Sequence, residues 1–323
     1  MPTIALVATG GTIAGAAASA TDTTGYTAGA LGAETLLAAV PQLADVASIR
    51  AEQLFSLDSK DMGPEHWLAL GRRVRALLDD PQTDGIVITH GTDTLEETAA
   101  FLQLTLATSK PVVLTAAMRP ATALSADGPM NLYGAVCAAA HPASAGRGVL
   151  LSFGDAILPA LGVRKCQTHH VDAFAGGSAG AVGRHDPLRY FSPPPPPTAA
   201  AFALATDLAA LPRVDILHVG AGTPPELLDL LVAAGARGIV LALPGNGSLP
   251  AAWEAPVARI VAGGLPVIRA SRAGFGAVCR KALDAQLGTL AAGELPASQA
   301  RVALMLALAT GKTATLANIL GAS

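Results

Sequence analysis

Short apolar runs alternate with longer amphipathic segments through the first half of the chain. Four of these runs have the length and composition of buried strands, at residues 3–8, 85–89, 111–115 and 148–152. Residues 64–78 repeat apolar positions at helical spacing, and residues 94–106 open with two glutamates, which a helix dipole favours in a first turn. This alternation predicts a mainly parallel sheet covered by helices.

The second half repeats the pattern on a smaller scale. Strand-like and helix-like segments alternate at residues 214–219, 224–234, 238–243, 250–262 and 266–270. Residues 298–309 are apolar almost all round, which predicts a buried closing helix. A proline run at 193–197 favours an extended connector. We therefore predict an α/β fold with three parts: a larger N-terminal domain with a parallel-rich sheet flanked by helices (1–191), a proline-rich linker (192–212) and a smaller C-terminal α/β domain (213–323).

Composition and charge exclude several classes of protein. With 323 residues, 51% of them hydrophobic, the chain has ample material for a core. A net charge of −3 and the lack of a dense Lys/Arg run give no reason to expect nucleic acid or an anionic membrane as a partner. No apolar stretch is long enough to span a bilayer. A glycine motif follows the first strand at once and leaves no room for a leader, so a cytoplasmic location is expected.

The metal-binding residue types do not form a recognisable site. Cys137, Cys166 and Cys279 are odd in number and lack CxxC spacing, which indicates neither a disulfide framework nor a thiolate zinc site. His169 and His170 are adjacent, and in regular structure their side chains diverge. No metal is therefore expected.

Two threonine motifs lie where predicted strands end: TGGT at residues 9–12 and THGTD at residues 89–93. A single threonine after glycines is commonly a turn residue or a helix N-cap. Two of them at the ends of parallel strands, where α/β sheets bind ligands, suggest paired catalytic hydroxyls at Thr12 and Thr92. Because a threonine hydroxyl is a weak nucleophile, it needs a base or a relay. Asp93 and Lys165 are the candidates, the alternative for Lys165 being a solvated loop charge.

Other motifs do not satisfy the patterns they resemble. Residues 10–15 lack the GxGxxG register, and residues 311–313 lack the first glycine of a P-loop. The GxSxG sequence at 176–180 lies in a glycine-rich stretch without a strong preceding strand, so we interpret it as a flexible loop. His90 is interpreted as a packed or hydrogen-bonded residue rather than a base, with an orienting role left open.

At the threonine motifs the chain resembles the bacterial-type L-asparaginase and glutaminase family. The resemblance is carried by ATGGTIAG at residues 8–15 and ITHGTDTLEET at residues 88–98. It continues through DSKDM at 58–62, PVVLTAAMR at 111–119, DGPMN at 127–131, Lys165 and GNG at 245–247. Nearly the whole chain is covered.

This resemblance implies an amidohydrolase that needs no cofactor and converts L-asparagine to L-aspartate and ammonia. Thr12 would be the nucleophile that forms a β-aspartyl ester, and Tyr26, on a lid at residues 21–29, would close over it. Thr92, Asp93 and Lys165 would form a relay that activates a threonine hydroxyl or the deacylating water. Which threonine attacks first is left open.

Substrate binding is implied at Gly11, Ser59, Lys60, Gly91, Thr92, Asp93 and Ala116. Asp93 would hold the substrate ammonium and Ser59 the substrate carboxylate. Backbone N–H groups near Thr92 and Ala116 would stabilise the oxyanion. The resemblance also implies a homotetramer built from close dimers, so the expected partners are a small-molecule substrate and further copies of the chain, as a homotetramer or homodimer.

Two departures from the family pattern concern the substrate. Lys60 stands where members generally carry a neutral residue, and its charge would repel the substrate ammonium unless the side chain points away or pairs with Asp61. In the second domain Ser248 replaces the usual asparagine, and Asp284 is the only nearby acid. A dual glutaminase-asparaginase and a weakly catalytic amino-acid sensor on the same fold are therefore the alternatives to an asparaginase.

Overall fold

The computed structural model describes residues 1–195 and 199–321. The chain divides after Ala200 into two compact units. The finer boundaries, with a linker at 192–212, stay a prediction, and residues 196–198 of that linker lie outside the described residues.

The first unit contains strands that are long near its N-terminus and short beyond residue 160. They are β1 (Thr3–Gly10), β2 (Ala16–Ala17), β3 (Tyr26–Thr27), β4 (Ser48–Leu57), β5 (Gly85–Thr89), β6 (Val112–Thr115), β7 (Val149–Phe153), β8 (Ala156–Pro159), β9 (Arg164–Lys165), β10 (Phe174–Ala175), β11 (Gly183–Arg184) and β12 (Arg189–Tyr190). Its α-helices are α1 (Ala33–Ala38), α2 (Pro64–Asp79), α3 (Leu95–Thr105) and α4 (Gly128–Ala140).

Within residues 1–195 the main sheet has eight strands in the order β12-β11-β8-β7-β6-β5-β1-β4. The pairs from β4 to β7 are parallel, and those from β7 to β12 are antiparallel. The four strands predicted from apolar runs are confirmed as β1, β5, β6 and β7, and the two predicted helices as α2 and α3. Sequence reasoning did not find β4, in which apolar residues are interspersed with polar ones. It also did not find the short antiparallel strands.

The parallel strands carry helices on both faces. One cluster of buried residues joins alternate positions of these strands, such as Leu6, Val87 and Val113, to Leu132 and Val136 of α4. Since successive side chains of a strand point to opposite faces, Ile86 and the other intervening residues face the other way, and there α2 contacts β5 and α3 contacts β7. Strands covered on both faces must be apolar throughout, which explains why these runs were recognisable.

The second unit has a smaller parallel sheet. Across residues 201–321 its strands are β13 (Val214–His218), β14 (Gly238–Leu243), β15 (Val267–Ser271) and β16 (Leu290–Ala291), in sequence order. Its helices are α5 (Leu227–Ala233), α6 (Ala251–Ala262), α7 (Ala282–Leu287), α8 (Ala297–Thr310) and α9 (Thr313–Ile319). The predicted closing helix is confirmed as α8, which is buried along most of its length.

The predicted fold class is therefore confirmed: a larger N-terminal unit with a mostly parallel sheet and a smaller C-terminal α/β unit. Among the described residues, every helix is too short or too polar to traverse a lipid bilayer.

Candidate active site

The two threonine motifs meet at neighbouring strand ends. Strand β1 pairs with β5 in parallel, with Ala8 opposite Thr89, so both chains leave the sheet at the same edge. Gly11 has a φ of +80°, and a side chain there would overlap the backbone of Gly91. A Cβ on Gly91 would lie 3.1 Å from Gly11 Cα. The turns that carry Thr12 and Thr92 are thus in backbone contact, which only glycine permits at these two positions.

Thr12 begins a 3-10 helix (Thr12–Ala14) directly after this contact. The residue is 6% exposed, and its Oγ1 lies 2.6 Å from the hydroxyl oxygen of Tyr26. Tyr26 belongs to β3, which pairs with β2 immediately after the 3-10 helix. A two-stranded ribbon therefore brings Tyr26 back to the threonine fourteen residues earlier in the chain.

Thr92 lies in the turn between β5 and α3, next to a charged pair. The ammonium of Lys165 donates to Thr92 Oγ1 at 2.9 Å and to Asp93 Oδ1 at 2.6 Å. Because an ammonium has no acceptor, Thr92 must accept this bond, and its own proton is left for another partner. A cation beside the hydroxyl also stabilises negative charge that develops on its oxygen.

Lys165 is held in place by its backbone. It lies on β9, which pairs with β10, and its backbone N–H donates to Glu96 Oε2 at 2.7 Å. Its side chain is 18% exposed, whereas that of Asp93 is 56% exposed. A groove of about 450 Å³ opens beside this ion pair and is lined by Asp93, Glu96, Lys165, Cys166, Gln167 and Thr168.

Ser59 joins the Thr92 turn from a third direction. It begins a 3-10 helix (Ser59–Asp61) after β4, and its carbonyl accepts from Thr94 Oγ1 at 2.7 Å. Its hydroxyl oxygen accepts from the backbone N–H of Asp93 at 3.2 Å, which leaves the hydroxyl proton available. Gly91 packs against this serine so closely that a Cβ would collide with it.

Lys60 follows Ser59, and its ammonium is paired with a carboxylate of the same segment. Its Nζ lies 2.6 Å from Asp58 Oδ2, and its side chain is 65% exposed. The hydrogen bond to Asp58 and the charge of that carboxylate raise the pKa of Lys60. Its partner is thus Asp58, not the Asp61 considered from sequence.

Ala116 follows β6, the strand next to β5. It is fully buried, and its carbonyl accepts from Asn131 Nδ2 at 2.9 Å. The Asp127 carboxylate accepts from the backbone N–H groups of Met118 and Arg119, at 2.9 Å each. Residues at the start of α4 therefore fix the segment after β6 against the site.

His90 is buried behind the Thr92 turn. Burial lowers its pKa from 6.5 to about 4, so the ring is neutral near pH 7. Its Nδ1 lies 2.7 Å from the Gly91 carbonyl and its Nε2 lies 3.0 Å from Thr98 Oγ1. A histidine enclosed in this way does not reach a substrate, which agrees with its interpretation as a hydrogen-bonded residue.

Known proteins are similar to this chain along almost its entire length. The family model described as "Asparaginase, N-terminal" matches residues 3–195, and that described as "Glutaminase/Asparaginase C-terminal domain" matches residues 213–318. The chain belongs to the asparaginase family. Relatives within it include L-asparaginase 2 of Bacillus subtilis, which is 43% identical over 95% of this chain and 83% of its own length.

Other asparaginase-family members carry different names. The glutaminase-asparaginase of Pseudomonas aeruginosa is 40% identical over 84% of this chain and 76% of its own length. The crystal structure of a probable cytoplasmic L-asparaginase from Campylobacter jejuni superposes with a TM-score of 0.93 at 40% identity, covering 99% of this chain and 98% of that one.

Within this asparaginase-family site, sequence reasoning missed residues that act through others. Glu96 was noted only for its position in a first helical turn, and Asp127 and Asn131 only as part of a motif. Asp58 was not considered as the partner of Lys60. Nothing in the sequence pairs Glu96 with Lys165, because 69 residues separate them.

Proposed function

We propose that this protein is an L-asparaginase that hydrolyses the side-chain amide of L-asparagine to L-aspartate and ammonia. The observation that carries the proposal is the contact between Gly11 and Gly91, which joins the turns of Thr12 and Thr92. Two buried hydroxyls carried by turns that are in contact can act on opposite sides of a single amide. Membership of the asparaginase family supports the same reaction.

In the proposed first step, the Thr12 oxygen attacks the side-chain amide carbon of the substrate. The amide nitrogen takes up a proton and leaves as ammonia, and a β-aspartyl ester to Thr12 is formed. Tyr26 supports this assignment, since its hydroxyl lies within hydrogen-bonding distance of the threonine oxygen that must lose a proton. Water then hydrolyses the ester, which releases aspartate and restores the threonine.

Thr92, Lys165 and Asp93 form the proposed relay on the other flank. Lys165 donates to Thr92, so the threonine proton can be passed to the leaving nitrogen or exchanged with the attacking water. Asp93 holds the Lys165 ammonium next to the threonine. In the alternative order Thr92 attacks first, and the same groups take part. Identification of the threonine that carries the acyl group distinguishes the two orders.

The substrate contacts proposed from sequence fit a zwitterionic amino acid. Asp93 is half exposed and has a second carboxylate oxygen for the substrate ammonium, while the free proton of Ser59 can bind the carboxylate. Backbone N–H groups of the Thr92 turn and of the segment at Ala116 would stabilise the oxyanion. Gly11 and Gly91 allow the backbone to come close to the substrate, and Lys60, whose ammonium is paired with Asp58, stays a proposed neighbour of the substrate.

Measurement of ammonia release from asparagine and from glutamine tests this function. We expect the wild type to release ammonia from asparagine, and Thr12→Ala and Thr92→Val to lose at least about 10³-fold in kcat. Thr105→Val is the matched control, because its hydroxyl is buried in α3 and bonds only to the Phe101 carbonyl among the described residues. Trapping of the acyl group and mass spectrometry of the labelled peptide would identify the nucleophile.

The other outcomes favour the alternatives. Equal release from glutamine would make the protein a dual glutaminase-asparaginase, the name carried by one of its relatives. Asparagine binding without ammonia release would favour the amino-acid sensor. The proposed homotetramer or homodimer and the proposed cytoplasmic location are separate points, tested by light scattering of the purified protein and by cell fractionation.

A further inference from the structure

Three buried side chains form a hydrogen-bonded chain that ends on the peptide between Gly91 and Thr92. The indole Nε1 of Trp67, on α2, donates to Thr98 Oγ1 on α3 at 3.0 Å. Thr98 Oγ1 lies 3.0 Å from His90 Nε2, and His90 Nδ1 lies 2.7 Å from the Gly91 carbonyl oxygen. The three side chains belong to residues that are 2%, 0% and 0% exposed.

The direction of every proton in this chain follows from chemistry. An indole N–H can only donate and a carbonyl oxygen can only accept. His90, being neutral, carries one ring proton, and the carbonyl at its Nδ1 requires that proton to be there. Its Nε2 is then an acceptor, so the Thr98 hydroxyl donates to it. The order is Trp67 to Thr98, Thr98 to His90, and His90 to the Gly91 carbonyl.

The hydrogen-bonded chain of Trp67, Thr98 and His90 determines where the Thr92 N–H points. In a trans peptide the carbonyl and the next N–H point in opposite directions, so a Gly91 carbonyl turned inward to His90 turns the Thr92 N–H outward. Among residues 1–195 and 199–321 that N–H has no acceptor. On the other side of Thr92, the N–H of Asp93 is fixed by Ser59. A glycine allows the peptide plane to rotate at low cost, and therefore a bond to its carbonyl is needed to hold one orientation.

We infer that Trp67, Thr98 and His90 are positioning residues that hold the Gly91–Thr92 peptide so that its N–H donates to the oxyanion formed on the substrate amide. None of the three touches the substrate. The inference rests on the proposed asparaginase function and identifies what keeps one donor of that site preorganised. Donors of this kind act through fixed orientation, so a looser peptide lowers turnover more than substrate binding.

Thr98→Val tests the inference, because it removes the hydroxyl at nearly constant volume. We expect kcat for asparagine to fall about tenfold with KM within about twofold of the wild type. Thr98→Ser restores a hydroxyl and should recover kcat to within about threefold. Thr105→Val makes the same change two turns along the same helix, at a residue that does not belong to the hydrogen-bonded chain. It should leave kcat within about twofold of the wild type.

A second pair of variants covers the case in which Thr98→Val does not fold. Trp67→Phe removes only the far donor and leaves Thr98 bonded to His90, so a fall in kcat of about threefold is expected. Trp253→Phe changes the other buried tryptophan, in the second unit, and should have no effect on kcat. Nitrogen-15 NMR gives a readout independent of turnover: the His90 ring, assigned by its loss in His90→Gln, should be the neutral Nδ1–H tautomer at pH 7.

Several results would overturn the inference. They are equal kcat for Thr98→Val and Thr105→Val, failure of Thr98→Ser to recover activity, an increase in KM alone, or a His90 ring protonated on Nε2. A wild type that releases no ammonia from asparagine or glutamine would instead overturn the proposed function, whatever the tautomer of His90.

Discussion

Each of the two units buries a cluster of polar side chains, and the clusters differ in what they leave available. In the second unit Arg269 is fully buried and bonds to Asp284, to the Gly247 carbonyl and to the Cys279 carbonyl. Asp284 also accepts from Thr289 and from the Lys281 backbone, so every side-chain nitrogen and oxygen of this saturated pair has a partner. In the first unit, Thr92 and Ser59 accept bonds but still have protons to donate.

Burial of a polar group is therefore a weak sign of function, and unused donor capacity is a stronger one. Sequence reasoning noted Asp284 as the only acid near the expected substrate contacts of the second domain. Burial by itself would raise the pKa of Asp284, but hydrogen bonds from Arg269 and Thr289 hold it below its ordinary value of 3.8. Its carboxylate is engaged inside its own unit and has a structural role.

Among the changes that test the contrast between the two polar clusters, loss of the Lys165 ammonium should have the largest effect on turnover. Lys165→Met should lower kcat by about 10³-fold or more, because Thr92 loses the cation that polarises it. The control is Lys110→Met, whose ammonium bonds to the carbonyls of Leu78 and Asp80 and should be dispensable for turnover. Steady-state ammonia release by both variants measures the two values of kcat. Retention of a tenth of the wild-type kcat by Lys165→Met would contradict the proposed relay.

The saturated cluster should affect stability instead. Asp284→Asn leaves the buried Arg269 charge uncompensated and should reduce the free energy of unfolding of the second unit by about 3–5 kcal/mol. Asp229→Asn, which breaks an exposed pair with Arg259, should cost less than about 1 kcal/mol. Urea unfolding followed by Trp253 fluorescence in a Trp67→Phe background measures both.

The pH dependence of this stabilisation has a definite sign. Because the pKa of Asp284 is lower in the folded state, its contribution is present above the unfolded value near 3.8 and is lost as the pH falls through the folded value. Asp284→Asn should therefore unfold in acid with a shallower pH dependence than the wild type. Identical profiles would mean that the carboxylate is not stabilised by the fold.

His90 in the first unit loses stability in the same direction, as the pH falls, but over a higher pH range. Its pKa of about 4 in the fold, against 6.5 when unfolded, means that the unfolded chain binds the extra proton first. The free energy of unfolding should fall as the pH drops from about 6.5 to about 4, by up to about 3 kcal/mol. His90→Gln should remove this slope. The control is His218→Gln, a substitution at an exposed residue, which should keep it. Trp67 fluorescence in a Trp253→Phe background follows the unfolding of the first unit.

The smallest effect is expected at Lys60. Since its ammonium is paired with Asp58 and largely exposed, Lys60→Gln should lower the KM for asparagine by only about twofold at low salt and by less at high salt. Measurement of KM at two ionic strengths checks this. A larger decrease that persists in high salt would show that the lysine charge reaches the substrate.

The sequence predicted the parts of the fold and site that depend on local pattern. Strands β5 and β14 are buried on both faces, so their apolar runs coincide with their observed bounds. Thr12 and Thr92 were found because each closes a strand with a glycine motif. The edge strand β4 was missed because its exposed positions are polar, and β11 and β12 because two residues carry too little pattern.

Contacts between distant residues were beyond sequence reasoning. The link from Trp67 through Thr98 to His90 depends on how α2 and α3 pack against β5, and no spacing in the chain encodes it. The same holds for the pairing of Arg269 with Asp284, fifteen residues apart and on different elements. In both cases the partner is fixed by tertiary packing, which decides hydrogen bonding after the elements have formed.

The glycine-to-glycine contact between the first two motifs has a consequence for engineering. Because Gly11 and Gly91 leave no space between them, a loop transplanted from another scaffold into one motif would push the other out of place. Segments 9–15 and 88–98 therefore form a single exchangeable module despite their separation in the gene. Recombination libraries should inherit both from the same parent.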